Sequence, residues 1–480
     1  MNASDTGLRS GFVALTLAQA LFIVTGYATH LVLARVLGPA GYGTYGVTLS
    51  VLSTVALVLN GGLPEAIAKF AAERPADAQA IFARGSAIQL RLSLLLAVAY
   101  AALSPVVGFV LKDRALTPML AASALAVPPI ALYSVVVGAF NGQRRFVAQA
   151  LTVSALGVLR ALILIGLTWK FQIVGAVVGL IAAPLIVVAV TLPGILRAKA
   201  KTELAARELW VFARPVIAFT IAHALLMGLD LFFVKAVVRN PDEVGYYTAA
   251  ATIAKVPYFF FSTLGVVLLP IVSAAGNDET GQVMPTVRRA IRLISALALG
   301  VCAVVAPLSR AAMVVLYGQA YAGAALPLAL LVSSGTLFTL TFIVSHTLSG
   351  LGHPSIAMRL TVAGLALELV LAAVLTPLFG TVGAAGASCV VSFVLFVAVV
   401  HFGRPLLGTL FPLKSQLRIA FSLLVVTLVG YALPHSQPRH LLLAAPLGLA
   451  YLLGLLLLRE FTLADVRAWL RRERGESSRA

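Results

Sequence analysis

The sequence predicts an all-α polytopic membrane protein. Fourteen transmembrane helices form two parallel-repeat bundles of six, followed by two extra C-terminal helices, with both termini on the cytoplasmic side. Three observations carry this. The 480 residues are 60% apolar and only 11% charged, with a mean hydropathy of +1.01, whereas soluble domains carry about 25% charged residues. The apolar runs are continuous over 18–28 residues, which suits membrane helices and not the alternating strands of about ten residues in a membrane barrel. The basic residues concentrate in alternate loops. Together these exclude a multidomain cytosolic enzyme, a disordered chain and a disulfide scaffold.

A helix rises about 1.5 Å per residue and the hydrocarbon core is about 30 Å thick, so each span needs roughly 20 residues. The runs lie at 11–33, 44–64, 86–111, 116–140, 149–168, 173–195, 215–236, 247–272, 291–308, 323–349, 356–376, 381–402, 417–434 and 440–458. Read as one helix, 149–195 would be about 70 Å long, so the chain turns at Trp169-Lys170-Phe171-Gln172. A second tight hairpin is Pro377-Leu378-Phe379-Gly380. The organisation that follows is a first lobe over 1–196, a cytoplasmic linker over 197–214, a second lobe over 215–403, the extra helices over 404–458 and a basic tail over 459–480. The first ten residues show no cleavage site of a removable signal peptide.

With the N-terminus in the cytoplasm, 24 of the 35 Lys and Arg residues fall on inner loops and ends, eight on outer loops and three, Arg91, Arg160 and Lys255, within spans. Inner loops of membrane proteins are enriched in Lys and Arg. The net charge of +18 is therefore explained by topology and calls for no nucleic acid. Cys302 and Cys389 lie in apolar runs and read as small buried hydrophobes.

An internal repeat has an offset near 206. Arg35, Gly41, Tyr42 and Thr44 match Arg239, Gly245, Tyr246 and Thr248. Leu63-Pro64 matches Leu269-Pro270, Gly142 matches Gly350, Thr168 matches Thr376, and Val174-Gly175-Ala176 matches Val382-Gly383-Ala384. Span 1 thus corresponds to span 7. Six is even, so the copies enter the membrane with the same orientation, the arrangement of a parallel repeat related by an axis along the membrane normal.

The stretch Leu33-Ala34-Arg35-Val36-Leu37-Gly38-Pro39-Ala40-Gly41-Tyr42-Gly43 resembles the entry signature of the polysaccharide-transport branch of the MOP exporter superfamily, which contains the Wzx-type oligosaccharide flippases and, more distantly, MurJ-type and MATE proteins. Gly245-Tyr246-Tyr247 and Gly350-Leu351-Gly352-His353-Pro354 are similar to its second half. The resemblance implies two lobes in a V around a central cavity. It also implies flipping of a polyprenyl-diphosphate-linked glycan from the inner to the outer leaflet by alternating access, without enzymatic catalysis. The partners it implies are membrane lipids and polysaccharide polymerase or assembly proteins. The helices after span 12 point to the lipid-linked branch, where such helices help receive the lipid tail.

Ionisable residues within a span cost several kcal/mol unless paired or wet, so each is a candidate for function. A diphosphate needs cations in a water-filled cavity. The candidate substrate contacts are Lys255, Arg91, Arg160, Arg35 and Gln19. Lys255 reads as a phosphate contact or a structural pair, and Arg91 as a snorkelling residue. Span 1 offers Gln19, Thr25 and His30 where peptidoglycan-precursor flippases carry arginine. Arg160 and Glu368 are 208 residues apart, hence repeat-equivalent with opposite charge, and pair with each other or within their own lobes. Asp230 and Glu368, with Ser388 or Ser392, are the candidates for a coupling site. The coupling ion is Na⁺ or H⁺, and the pattern contains no metal cluster and no other cofactor. An alternative partner for Asp230 is Lys235 or Lys255. His223 and His346 read as packing residues. Pro64 and Pro270 are repeat partners and hinge candidates, and Glu65 is a gate candidate or a helix-surface partner of Lys69.

Two other functions fit the composition. One is a cation-coupled exporter of small amphipathic molecules. The other is a membrane glycosyl polymerase, which would need an acid on an outer loop. Asp113, Asp242 and Glu243 lie there without a supporting motif.

Overall fold

The computed structural model describes residues 3–60, 63–74, 77–196, 221–274, 283–433 and 437–460. Among these residues the secondary structure is helical, with no strand. Among the described residues, eight helices are long and apolar enough to cross a membrane, or nine if a pair bent by 78° (Met284–Val305 and Ser309–Tyr317) counts as one. The sequence-read linker 197–214 and the tail beyond residue 460 lie outside the described residues.

Three of the longest helices contain one non-helical residue each, and these fall at the turns read from sequence. Ala3–Asn60 breaks at Gly38 (φ 66°, ψ 176°), just before Pro39. Positive φ is open to glycine, and proline cannot donate to the preceding turn, so Gly38-Pro39 stops one helix and starts the next. Phe146–Leu196 breaks at Gln172, and Pro354–Leu407 at Gly380. The spans read as 247–272 and 323–349 match helices Pro241–Ala274 and Ala325–Gly350, with a hairpin at Gly352 (φ 87°) before Pro354.

Several helices depart from their expected limits: Ala78–Val110 starts before the run read as 86–111, and the described part of the span read as 215–236 is interrupted before Leu229. The span read as 291–308 begins at Val283 and ends at Val305, after which the chain bends into Ser309–Tyr317. Its start is earlier because 283–290 is amphipathic and continues the helix beyond the apolar run. Its end is earlier because Pro307 cannot extend it.

The chain forms two compact units, Met1–Thr248 and Ala249–Ala480. In the first, helices Leu63–Glu73, Ala78–Val110 and Val127–Gly142 enclose Leu63, Ile67, Ile81, Phe82, Val136 and Ala139. Glycines allow the close approach: a Cβ on Gly138 would stand 2.6 Å from the Pro64 carbonyl oxygen. In the second, the C-terminal helices Leu413–Ala432 and Ala444–Leu457 dock on Val283–Val305 through Ile419, Val426, Leu447 and Tyr451. The Tyr451 hydroxyl donates to the Ala296 carbonyl at 2.9 Å.

The outer surfaces of the helices are apolar. Phe109, Leu95, Val190 and Leu457 are each more than 65% exposed, a lipid-facing pattern that water would not tolerate over such an area. Inside, hydroxyls bond to the carbonyl one turn back, as Thr29 does to Thr25 (2.7 Å) and Thr347 to Ile343 (2.9 Å). This is how a polar side chain is satisfied where no water is present.

Candidate functional site

Among the described residues, polar clusters stand inside the apolar walls of each unit. In the first unit, the break at Gly38 brings the ends of two helical lengths together. His30 on the first length meets Tyr42 on the second, with Nδ1 and Oη 2.9 Å apart. Tyr45 stacks on Tyr42 with centroids 6.1 Å apart, and its ring centroid lies 6.0 Å from that of His30. Both tyrosines are essentially fully buried. Arg160, on helix Phe146–Leu196, hydrogen-bonds the Tyr45 phenol. That helix approaches the first one closely: a Cβ on Gly157, one turn before Arg160, would stand 2.9 Å from Thr25 Oγ1. Arg160 is half-buried, and the group beside it is a neutral phenol.

The other candidate contacts are placed differently. Gln19, Arg35 and Arg91 are exposed. Lys255, in the second unit, is half-buried one turn before Tyr258, which packs against Phe338 and Phe342. Pro64 is buried and Glu65 exposed on the same short helix, where Lys69 lies 3.9 Å from Glu73. Pro270 is within helix Pro241–Ala274, but its side chain lies outside the described residues.

The second unit holds a chain of oxygens. Glu368 is 1% exposed, and its Oε1 accepts the Ser388 hydroxyl at 2.8 Å. The Ser334 hydroxyl donates to the Ser388 carbonyl at 2.9 Å, and the Ser392 hydroxyl to Ser334 Oγ at 3.1 Å. A buried carboxylate with hydroxyls and a carbonyl is the donor set of a hard cation or a proton. His346 packs on Phe342 with the rings inclined by 35° and centroids 3.8 Å apart, and its Nδ1 is 3.1 Å from the Phe342 carbonyl oxygen.

Asp230 belongs to the first unit. It is 8% exposed, and the Tyr247 hydroxyl donates to its Oδ2 at 2.5 Å. Lys235 reaches Asp113 instead, Nζ to Oδ2 at 2.6 Å. Arg160 and Glu368 are each bonded within their own unit, and so are Asp230 and Glu368.

Sequence reasoning missed the tyrosine pair and Ser334. Tyr42 and Tyr45 sit three residues apart on one helix face, a spacing visible in the sequence, but their link to residue 160 depends on tertiary packing. Among the described residues no group of three or more His, Cys, Asp or Glu side chains could hold a metal ion.

A family model described as "Polysaccharide biosynthesis protein" matches residues 32–326. No curated protein matches the chain in sequence. Among solved structures, the chain is similar to the lipid II flippase MurJ in an inward closed conformation, at TM-score 0.77 and 15% identity, over 92% of this chain and 98% of that one. It is similar to an inward-facing multidrug resistance MATE transporter of the MOP superfamily, at TM-score 0.64 and 14% identity, over 83% and 98%. A MOP transporter from Pyrococcus furiosus aligns at TM-score 0.60 and 17% identity, over 84% and 96%.

Proposed function

This chain belongs to the polysaccharide biosynthesis protein family, and on that premise we propose that it moves polyprenyl-diphosphate-linked oligosaccharide from the inner to the outer leaflet of the cell membrane by alternating access. The observation that carries this reading is Arg160. A cation within an apolar span costs several kcal/mol unless water or a counter-charge meets it, and the partner here is the neutral Tyr45. A diphosphate supplies the missing charge, and a guanidinium binds phosphate oxygens in a fixed fork. Lys255 is the candidate phosphate contact of the second unit.

The alignment with the lipid II flippase extends over more of this chain than that with the MATE transporter, 92% against 83%. The C-terminal helices Leu413–Ala432 and Ala444–Leu457 supply apolar surface for a lipid tail. Glu368, with Ser388, Ser334 and Ser392, takes the coupling Na⁺ or H⁺. The chain works as a transporter and not as an enzyme. Of the outer-loop acids that a polymerase would need, Asp113 is engaged by Lys235. Polysaccharide polymerase and assembly proteins are the expected partners downstream.

Ligand-induced stabilisation tests the reading, since a ligand that binds the folded state raises Tm. A short polyprenyl diphosphate should raise the Tm of the native protein and shift it far less in Arg160→Ala. A cationic amphiphile that raises Tm where the diphosphate does not would favour the second reading, a cation-coupled exporter, which the shared MATE fold and the buried Glu368 also suit.

A further inference from the structure

In the second unit, Ala254 and Gly335 mark a close crossing of helices Pro241–Ala274 and Ala325–Gly350. A Cβ on Gly335 would stand 2.8 Å from the Ala254 carbonyl oxygen, so glycine seats the crossing. Beside it the first helix carries Lys255 and, one turn on, Tyr258. The second carries Phe338, Phe342 and His346 at four-residue intervals, which places them on one helix face. Tyr258 is buried, and its ring centroid lies 6.2 Å from that of Phe338 and 5.7 Å from that of Phe342. Phe342 and His346 are half-buried, with ring centroids 3.8 Å apart.

Two features distinguish the Phe342–His346 pair from apolar packing. A histidine within a span is costly where it meets lipid, so the accessible side of His346 faces water or a polar ligand. The pair also has a hydrogen-bonding edge. His346 Nδ1 stands 3.1 Å from the Phe342 carbonyl oxygen. A carbonyl only accepts, so in the neutral ring the proton sits on Nδ1, and Nε2 is left as an acceptor. An aromatic face beside a polar edge suits a sugar. The C–H groups of a pyranose carry slight positive charge and stack on the negative face of a ring, and a sugar hydroxyl donates to the nitrogen. A cationic amphiphile would also stack on such rings, but Lys255, one turn from Tyr258, repels it.

We propose that Phe342 and His346, backed by Tyr258, form a sugar-binding face for the glycan of the lipid-linked substrate, an inference that rests on the flippase reading above. Three residues separate Lys255 from Tyr258, about 4.5 Å along the helix axis, a distance comparable to the width of one sugar ring. A diphosphate held at Lys255 places the sugars bonded to it beside these rings.

The test measures Kd for the full-length protein in lipid nanodiscs. The probes are a short-chain polyprenyl diphosphate and the same lipid carrying a disaccharide of glucose, of galactose or of N-acetylglucosamine. At least one glycosylated lipid should bind the native protein about tenfold more tightly than the bare one, the scale of a ring contact plus a hydrogen bond. Phe342→Ala and His346→Ala should each cut that ratio about threefold and leave affinity for the bare lipid within about twofold. Phe342→Tyr, which keeps the ring, should keep the ratio. Near-native melting temperatures would establish that each variant is folded. A ratio near one for all three disaccharides, a ratio unchanged in both alanine variants, or equal losses for bare and glycosylated lipid would overturn the sugar face. Failure of the native protein to bind even the bare lipid would contradict the flippase reading itself, and this inference with it.

Discussion

Gln172 and Gly380 lie 208 residues apart and share one backbone conformation, φ 51°, ψ −135° and φ 58°, ψ −136°. Each is the turning point of a helical hairpin. The likeness extends to their surroundings. A Cβ on Gly175 would stand 2.1 Å from the Leu167 carbonyl oxygen, and one on Gly383 2.0 Å from that of Leu375. Thr168 and Thr376 are both fully buried with unpartnered hydroxyls. The repeat read in the sequence is therefore a repeat of backbone geometry, with glycine used at one copy of the turn and glutamine at the other.

Gln172→Gly should stabilise the protein by about 1 kcal/mol, because glutamine at this positive φ is strained and its side chain is exposed. Gly380→Ala should destabilise by a similar amount. Gly175→Ala and Gly383→Ala should each cost more, about 2–3 kcal/mol, since the added methyl meets backbone and not a movable side chain. Thermal unfolding in detergent reads all four. An unchanged Tm for Gly175→Ala would contradict the close crossing.

Much of this was legible in advance because turns have local chemistry. Gly38-Pro39, Gly380 and Gly352-His353-Pro354 each mark a break by residue type. Gln172 has no such mark, and only the excessive length of 149–195 betrayed it. The polar clusters were legible as members but not as partners. Asp230, Lys235 and Asp113 could all be named from the sequence, yet hydropathy cannot say that Lys235 reaches back 122 positions to Asp113 while Asp230 takes a tyrosine. The bend after Val305 was missed because the apolar run continues through Pro307.

Arg160→Ala should weaken diphosphate-lipid binding by about tenfold or more, the expected loss for one charge-assisted contact. Arg91→Ala, on an exposed face, should leave binding within about twofold, as for a surface substitution. Titration followed by intrinsic fluorescence separates them, and equal losses would contradict the assignment of Arg160.

Glu368→Gln should remove the dependence of transport on a Na⁺ or H⁺ gradient, and Ser388→Ala should blunt it by removing the hydroxyl donated at 2.8 Å. Initial rates with each gradient imposed in turn identify the ion. Gradient dependence that survives in Glu368→Gln would move coupling elsewhere, with Asp230 next to be tested.

Tyr451→Phe should loosen the C-terminal helix pair by about 1 kcal/mol through loss of its bond to the Ala296 carbonyl. Gly300→Ala should act at the same contact, because the added methyl would meet the Tyr451 ring at 2.6 Å. Protease protection of the C-terminal helices reads this docking, and protection unchanged in both variants would contradict it.

The central claim is tested most directly by reconstituting the native protein in proteoliposomes with a fluorescent polyprenyl-diphosphate oligosaccharide and measuring its transfer between leaflets with a membrane-impermeant quencher. The account predicts transfer well above protein-free vesicles and its loss in Arg160→Ala. Transfer no faster than in protein-free vesicles, with transport of a cationic dye by the same preparation, would contradict it.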